Sequence, residues 1–266
     1  MGMAASFRAP RGAVSAVLAG ALALVGLASA ARAQAVAPPR VQTVAAGLEH
    51  PWAVAFLPGG RFLVTERPGR LRLIDADGSL RPPLAGLPEV AAGGQGGLLD
   101  VVTDSDFARN RTIYFCFSEP GAGGTNGTAL ARARLAEDER RLEDVRVIFS
   151  QQPKVRSSLH FGCRIALRRV DGRPDGTLFL TLGDRFSRRD DAQTLDNHHG
   201  KVVRVAKDGA VPKDNPFVGK AGALPEIWSY GHRNSQGATL APDGSLWTHE
   251  HGARVQKLPS GASVAP

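Results

Sequence analysis

Hydrophobic and polar positions alternate along short stretches of the chain, and Gly, Pro or Asp separates these stretches. The first example starts with the apolar segment Trp52–Leu57 and the turn Pro58-Gly59-Gly60, and continues with Arg61–Glu66 and Arg70–Ile74. Alternation with a period of two residues is typical of β-strands that bury one face. Short strands joined by tight Gly and Pro turns predict an antiparallel meander.

The same pattern of strands and turns recurs further along, giving three units and most of a fourth. A meander that repeats about every 50–70 residues is typical of β-propeller blades, and a β-sandwich with long loops is the alternative. We therefore predict an all-β chain with about four propeller blades. The strands predicted after the first unit are Gly97–Val102, Thr112–Ser118, Ala129–Leu135, Gly162–Leu167, Thr177–Leu182, Lys201–Val205, Gln236–Ala241 and Ser245–Thr248.

Charged residues are spread over the chain and do not form one binding surface. The formal net charge is +8, but the arginines are scattered and no aromatic residues interleave with them. This distribution indicates a solvated basic surface, so we expect no nucleic-acid partner. The densest charged segment lies within Ala133–Val147, which we expect to be an exposed connection between strands. No segment shows the spacing of a long amphipathic helix.

The first 33 residues have the layout of a secretory signal peptide. Arg8 and Arg11 precede the apolar run Ala13–Ala28, and small residues follow. Cleavage is plausible after Ala33 or Ala30. The alternative is an N-terminal anchor that is retained, although the run is short for a membrane span. We expect an exported protein, periplasmic in a bacterium with two membranes, that has no membrane span after cleavage.

The chain has two cysteines, Cys116 and Cys163. Export would allow a disulfide, but the two residues could pair only if their strands lie side by side. Cys116 is in the middle of the predicted strand Thr112–Ser118, and Cys163 lies beside His160. Because two cysteines are too few for a disulfide scaffold, we predict two free thiols that are buried or half-buried.

A histidine and an aspartate stand at the ends of two consecutive predicted strands. His160 precedes Gly162–Leu167, and Asp184 follows Thr177–Leu182. If these strands form a hairpin, both side chains lie at the same end of the sheet. There a carboxylate can orient a histidine that acts as a general base. The alternative is a surface histidine near an aspartate in a turn.

Two further polar sites stand among glycines, where the backbone can approach a ligand closely. Gln95 lies within Gly93–Gly97, and Arg233 and Asn234 lie between Gly231 and Gly237. For Gln95 the alternative is a flexible loop. For Arg233 it is a surface arginine that caps backbone carbonyls.

The sequence His249-Glu250-His251 suggests a metal site. In a strand, however, His249 and His251 share one face while Glu250 points to the other. No third ligand is evident, and zinc sites in proteins use at least three protein ligands. We therefore predict no transition-metal site at this sequence.

Seven short motifs, in this order, resemble those of one known family. The chain resembles the soluble aldose sugar dehydrogenases of the glucose and sorbosone type, which depend on pyrroloquinoline quinone (PQQ). The resemblance runs from about residue 41 to Gly252. Each motif alone is weakly specific, but the ordered set is highly specific. The motifs are Leu48–Trp52, Gly94–Asp100, His160–Arg164, Leu182–Asp184, Asp214–Phe217, Ile227–Gly237 and His249–Gly252.

The resemblance implies a six-bladed β-propeller that binds PQQ and calcium at the mouth of its channel. It implies that His160 is the general base, which takes the proton of the sugar's anomeric hydroxyl while hydride passes to the quinone. Asp184 would orient His160, and Gln95 would lie beside the sugar and the cofactor. Arg233 and Asn234 would contact the quinone, where an arginine stabilises the negative charge that develops on reduction.

The resemblance also implies the calcium ligands and the reaction partners. The backbone carbonyls of Gly252 and Ala253 would face the calcium, a cation that prefers oxygen ligands. The substrate would be an aldose, oxidised at C1 to the lactone, and an external acceptor would remove the electrons. The domain order would be a signal peptide at 1–33, a partial propeller at 34–252 and a tail at 253–266 that does not match the family.

Three features depart from the family pattern. Cys163 stands where the family usually has Gly or Ser, and the hairpin Arg168–Asp175 is a few residues longer than usual. After Gly252 the sequence does not continue with the family's Pro and its Gly- and acid-rich segment, and by the resemblance we expect the last two blades to be absent from these 266 residues. We expect the missing cofactor ligands and the bare strand edges to impair activity, unless two chains pair as a homodimer.

Two functions of other classes stay open on the sequence alone. A non-catalytic periplasmic propeller would bind a sugar or a protein partner independently of PQQ. A propeller hydrolase of the lactonase type would use calcium without a quinone. The sequence shows no clear cluster of metal-binding carboxylates for the second function.

Overall fold

Antiparallel strands are the predominant secondary structure of the computed structural model, which describes residues 39–252. The predicted signal peptide (1–33) and the tail (253–266) lie outside the described residues. The one α-helix in the described range, α1, covers only Phe107–Asn110, and short 3-10 helices lie at Ala122–Gly124 and Arg189–Gln193. Between residues 39 and 252 no helix has the length and apolar character needed to cross a bilayer.

The strands form four antiparallel sheets, and strands that follow each other in the chain are neighbours in the sheet. The sheets are β1–β3, β4–β7, β8–β11 and β12–β13. The strands are β1 (Pro51–Leu57), β2 (Arg61–Glu66), β3 (Arg70–Ile74), β4 (Leu98–Thr103), β5 (Thr112–Pro120), β6 (Asn126–Leu135), β7 (Leu142–Ser150), β8 (Gly162–Val170), β9 (Arg173–Leu182), β10 (Lys201–Ala206), β11 (Ile227–Tyr230), β12 (Ser235–Leu240) and β13 (Leu246–Glu250).

The first strands of successive sheets contact one another: β1 with β4, β4 with β8, and β8 with β12. Consecutive meander sheets whose first strands are adjacent are the arrangement of propeller blades around a channel. The sequence-based prediction of an all-β propeller with three units and most of a fourth is therefore confirmed. This arrangement places the loops that enter each first strand close together, and the candidate site lies among these loops.

Each pair of neighbouring sheets encloses its own apolar core. Along β5, Ile113, Phe115 and Phe117 face the core shared with β1–β3, whereas Tyr114 and Cys116 face the core shared with β8–β11. A third, smaller core lies between β8–β11 and β12–β13. Because the sheet of β5 is packed on both faces, this strand is apolar at consecutive positions and does not alternate.

The prediction omitted two strands, β7 and β11. The segment Ala133–Val147, expected to be an exposed connection, contains the end of β6 and most of β7. β7 is the outer strand of its sheet, so several of its side chains, including Asp144 and Arg146, are exposed. Charged residues suit such an edge strand. The charged residues of this segment therefore correctly indicated solvent exposure, but they did not indicate that the segment forms β7.

Cys116 and Cys163 form a disulfide, so the prediction of two free thiols was wrong. Cys116 lies in β5 and Cys163 in β8, on the facing sides of two packed sheets. Their Cα atoms are 5.8 Å apart, which is typical of a disulfide. The cysteines are 47 residues apart in the sequence, and no local pattern indicates that their sheets are adjacent. The bridge joins the second and third sheets beside the segment that contains His160.

Candidate active site

The side chains of His160 and Asp184 meet at one end of a β-hairpin. His160 lies two residues before β8 and Asp184 two residues after β9, and the antiparallel pairing of these strands places Gly162 opposite Leu182. The His160 Nδ1 and Asp184 Oδ1 atoms are 2.6 Å apart. Both residues are buried, with exposures of 5% and 4%. The hairpin predicted from the sequence thus brings the side chains of His160 and Asp184 together.

The surroundings of this pair define how the imidazole can act. An ionised carboxylate only accepts hydrogen bonds, so a contact of this kind favours the imidazole tautomer that carries its proton on Nδ1 and leaves Nε2 as an acceptor. The backbone N–H of Phe186 also donates to Asp184 Oδ1, at 2.8 Å. The Phe186 ring stands edge-on to the imidazole, with centroids 5.3 Å apart. These contacts fix the orientation of the imidazole.

Side chains from other parts of the chain form hydrogen bonds with the backbone around His160. Gln95 Oε1 accepts from the His160 N–H at 2.8 Å, and Asn234 Oδ1 accepts from the Gly162 N–H at 3.1 Å. Thr128 Oγ1 donates to the Phe161 carbonyl at 2.8 Å. The sequence suggested that Gln95 and Asn234 contact a ligand, but it did not show that their side chains also bind the backbone near His160. Each amide keeps an NH2 group that can donate to a ligand.

A cavity of about 210 Å³ lies beside this segment. Its wall combines two aromatic rings, Trp52 and Phe161, with the amides of Gln95 and Asn234. Arg67, Leu99, Gly162, Gln236 and His251 complete the lining, and no acidic residue among those described contributes to it. The cavity therefore offers aromatic surface and hydrogen-bond donors without negative charge.

Arg233 connects the His160–Asp184 pair to the fourth sheet. Its carbonyl accepts from the Asp184 N–H at 2.8 Å. Its own N–H donates to Glu250 Oε2 at 2.7 Å, and its Nη1 donates to the His251 carbonyl at 2.9 Å. The structure thus brings Arg233 next to Asp184 through the backbone. Gly252 is exposed, and Ala253 lies outside the described residues.

The two histidines of the sequence His249-Glu250-His251 lie in different surroundings. β13 ends at Glu250, so His249 and His251 do not share a strand face as predicted. His249 lines a separate cavity with Trp247, whereas His251 lines the cavity beside Gln95. Within residues 39–252 no group of three or more His, Cys, Asp or Glu side chains could hold a metal ion.

An ion pair between buried Asp100 and half-buried Arg164 was not assigned a role from the sequence. Asp100 Oδ1 accepts from Arg164 Nη1 at 2.9 Å, and Asp100 Oδ2 accepts from the Ile165 N–H at 2.7 Å. The Arg164 guanidinium lies over the Trp52 ring, 5.0 Å from its centroid. This network links β4 to β8 just after His160. An aspartate at the end of the apolar run Gly97–Leu99 is the signal in the sequence that could have indicated it.

The pH dependence of stability should reveal Asp100. Burial raises the pKa of Asp100 to about 6, against the opposing effect of Arg164. The folded state therefore binds this proton more tightly than the unfolded state, and the stability that the group contributes is lost as pH rises from about 4 to about 6. A shift of about two units corresponds to at most ~3 kcal/mol. The wild type and Asp100→Asn are compared by their free energies of unfolding. The difference, wild type minus variant, should fall by an amount of this order as the pH rises from about 4 to about 6.

Urea unfolding at both ends of this pH range measures the difference. Glu137→Gln is the control, because the Glu137 side chain is 80% exposed, and its difference from the wild type should change little with pH. An Asp100→Asn difference that is constant across the range would show that burial does not raise this pKa.

A buried arginine also supports the His160 segment. Arg185 is fully buried, and its guanidinium stacks 3.5 Å from the Phe161 ring centroid. Its Nη2 donates to the Ser157 carbonyl at 2.6 Å and also to Asn126. Burial lowers the pKa of Arg185 to about 10, so it stays cationic at neutral pH. Nothing in the sequence near Gly183-Asp184 distinguishes this residue from a surface arginine.

A family model described as Glucose / Sorbosone dehydrogenase matches residues 48–256. The aldose sugar dehydrogenase YliI of Escherichia coli (strain K12) is 47% identical over 209 residues, which cover 78% of this chain and 55% of that protein. The chain spans about half the length of the curated relatives it matches.

Solved structures show the same relationship. A crystal structure of a glucose dehydrogenase is similar with a TM-score of 0.76 at 52% identity, covering 80% of this chain and 61% of the other. The PQQ-bound form of the aldose sugar dehydrogenase from Streptomyces coelicolor is similar with a TM-score of 0.67 at 31% identity, covering 80% of this chain and 60% of the other. The similarity thus includes a structure that contains PQQ.

Proposed function

The chain belongs to the glucose/sorbosone dehydrogenase family, and from this we propose that it oxidises the C1 hydroxyl of an aldose to the lactone with PQQ as hydride acceptor. One observation carries the proposal: the two residues that follow the buried histidine of the His160–Asp184 pair, Phe161 and Gly162, line a polar cavity whose described wall has no acidic group, although His160 and Asp184 do not line it themselves. The comparisons support sugar dehydrogenase chemistry in general. The C1 position, the lactone and the cofactor of this chain are our inference.

The donor set of the cavity fits PQQ. PQQ is planar and carries carboxylates, so it needs aromatic surface and hydrogen-bond donors without nearby negative charge. Trp52 and Phe161 offer the aromatic surface, and Gln95 and Asn234 offer amide N–H groups. Arg67 adds positive charge to the same wall. We propose that these residues, together with Arg233, would hold the cofactor.

The chain's own residues would remove the proton. When bound, PQQ supplies a two-electron acceptor for the hydride that leaves C1 of the sugar. His160 Nε2 takes the proton of the C1 hydroxyl as the carbonyl of the lactone forms. Asp184 stabilises the resulting imidazolium through Nδ1–H and keeps the ring oriented. The family resemblance implies that the Arg233 guanidinium would favour an anion that forms on the cofactor.

Calcium enters the proposal only through the family resemblance. Gly252 stands at the end of the described residues, and Ala253 lies beyond them. The structure therefore describes only one of the two carbonyl groups that the resemblance assigns to calcium, and no step of the reaction is assigned to the metal. Calcium dependence, the external electron acceptor and a homodimer stay predictions.

A titration tests the proposed function. The purified 266-residue protein is titrated with PQQ in the presence of calcium, and sugar oxidation is then followed with a reducible dye. We expect saturable binding of PQQ and oxidation of glucose or another aldose that requires it. A protein that oxidises no aldose with PQQ would overturn the proposal. Sugar binding independent of PQQ would favour the non-catalytic propeller, and lactone hydrolysis without quinone would favour the lactonase.

A further inference from the structure

The backbone from His160 to Cys163 has an unusual conformation. Three of its four residues have positive φ: His160 at 50°, Gly162 at 65° and Cys163 at 80°. Glycine adopts such angles freely, but a residue with a Cβ atom does so at an energetic cost. His160 and Cys163 are therefore held in this conformation by their surroundings. Any release of Cys163 would alter the path of the chain within three residues of His160.

The disulfide anchors one end of this segment to a rigid strand. Cys163 and Cys116 are both fully buried. Cys116 lies in β5, the second strand of a four-stranded sheet, and pairs in register with Leu130 of β6. Between residues 39 and 252 the disulfide is the one covalent cross-link between side chains of different sheets.

The other end of the segment has no covalent cross-link and is held by hydrogen bonds and ring contacts. Gln95 binds the His160 N–H, Asn234 binds the Gly162 N–H and Thr128 binds the Phe161 carbonyl. These contacts require the backbone groups of residues 160–162 to point in fixed directions. A relaxed Cys163 would turn the Gly162 N–H away from Asn234 and loosen the contact of His160 with Asp184.

We propose that the Cys116–Cys163 disulfide is a positioning element for His160. It keeps Cys163 in the left-handed conformation and thereby keeps residues 160–162 in contact with Gln95 and Asn234. The catalytic consequence rests on the proposed function, because it assumes that His160 is the base. The conformational part concerns the polypeptide alone and can be tested without any substrate.

Two double variants separate this role from a general stabilising one. Cys116→Ala/Cys163→Ala removes the bridge and keeps a Cβ atom at position 163. Cys116→Ala/Cys163→Gly removes the bridge but lets the backbone adopt positive φ without strain. The two variants differ by one methyl group. Leu73→Ala in the core between the first two sheets is the control for a global loss of stability.

Amide hydrogen exchange of the full-length protein is the first measurement. In the Ala/Ala variant we expect exchange at the His160 and Gly162 amides to accelerate by about tenfold or more, while amides of β2 stay unchanged. In the Ala/Gly variant both amides should return close to the wild-type rate. In Leu73→Ala, exchange at these two amides should rise only as much as exchange in β2.

The turnover number provides a second measurement. We expect kcat for sugar oxidation to fall by about tenfold in the Ala/Ala variant with little change in KM, and to recover in the Ala/Gly variant. If the wild type oxidises no sugar, the proposed function fails while the exchange measurement still decides the positioning role.

Two results would overturn the positioning role. One is exchange at His160 and Gly162 that rises no more than exchange in β2 of the same Ala/Ala variant. The other is an Ala/Gly variant that exchanges as fast as the Ala/Ala variant. If the Ala/Ala variant does not fold, the Ala/Gly variant decides. An Ala/Gly variant that folds and exchanges at the wild-type rate supports the proposal. An Ala/Gly variant that does not fold shows that the bridge stabilises the whole fold and overturns the positioning role.

Discussion

The variant His160→Asn is expected to oxidise sugar about 10²–10⁴ times more slowly than the wild type. In the wild type, His160 Nδ1 lies 2.6 Å from Asp184 Oδ1. The amide nitrogen of the asparagine lies close to the position of Nδ1, so it can still donate to Asp184. It has no group at the position of Nε2, and the proton of the sugar hydroxyl has no acceptor. Because the base acts in the transition state, kcat should fall while KM and PQQ affinity change little.

Controls separate this loss from general damage. His249→Asn changes a histidine that lines a different cavity, and its rate should equal that of the wild type. Asp184→Asn should also slow the reaction, and the double variant with His160→Asn should be little slower than His160→Asn alone, because the pair acts as a unit. A rate for His160→Asn close to the wild-type rate would show that another group takes the proton.

The variant Gly183→Ala should have the second largest effect. Gly183 lies between β9 and Asp184, and a Cβ atom there would overlap the carbonyl group of His160. Both partners are backbone, so no side-chain rotation relieves the overlap. The end of β9 must move away from the His160 segment, which separates the carboxylate from the imidazole. We expect a loss of activity of about 10²-fold, since displacement by ~1 Å has this effect in active sites.

Stability should fall together with activity. Overpacking of this kind costs about 1–3 kcal/mol, which a lower urea midpoint should show. Gly93→Ala is the matched control, because an added Cβ there meets no atom within 4 Å, and both stability and activity should persist. If Gly183→Ala behaved like Gly93→Ala, the close approach of Gly183 to His160 would be disproved.

The sequence predicted those features that depend on residues close together in the chain. β2 and β3 have the predicted bounds, because period-two alternation and Gly turns flank them. The His160–Asp184 pair was predictable for the same reason, since the two ends of one hairpin determine where both residues lie. β7 was missed because an outer strand carries charges that resemble those of a loop.

Contacts between different sheets were not predictable in this way. The bridge from Cys116 to Cys163 and the bond from Asn234 to the Gly162 N–H join segments that are far apart in the sequence. Whether such segments meet depends on how the sheets pack, which no local pattern indicates. The burial of Arg185 was not predictable for the same reason, because loops of two sheets close around this side chain.

A single-turnover experiment tests most directly whether His160 is the base of a PQQ-dependent sugar oxidation. The 266-residue protein is loaded with PQQ and calcium and mixed rapidly with glucose, and the quinone absorbance is followed. We predict fast loss of this absorbance in the wild type and in His249→Asn, and a much slower loss in His160→Asn, although all three bind PQQ equally. Equal rates in the wild type and His160→Asn would contradict the role of His160.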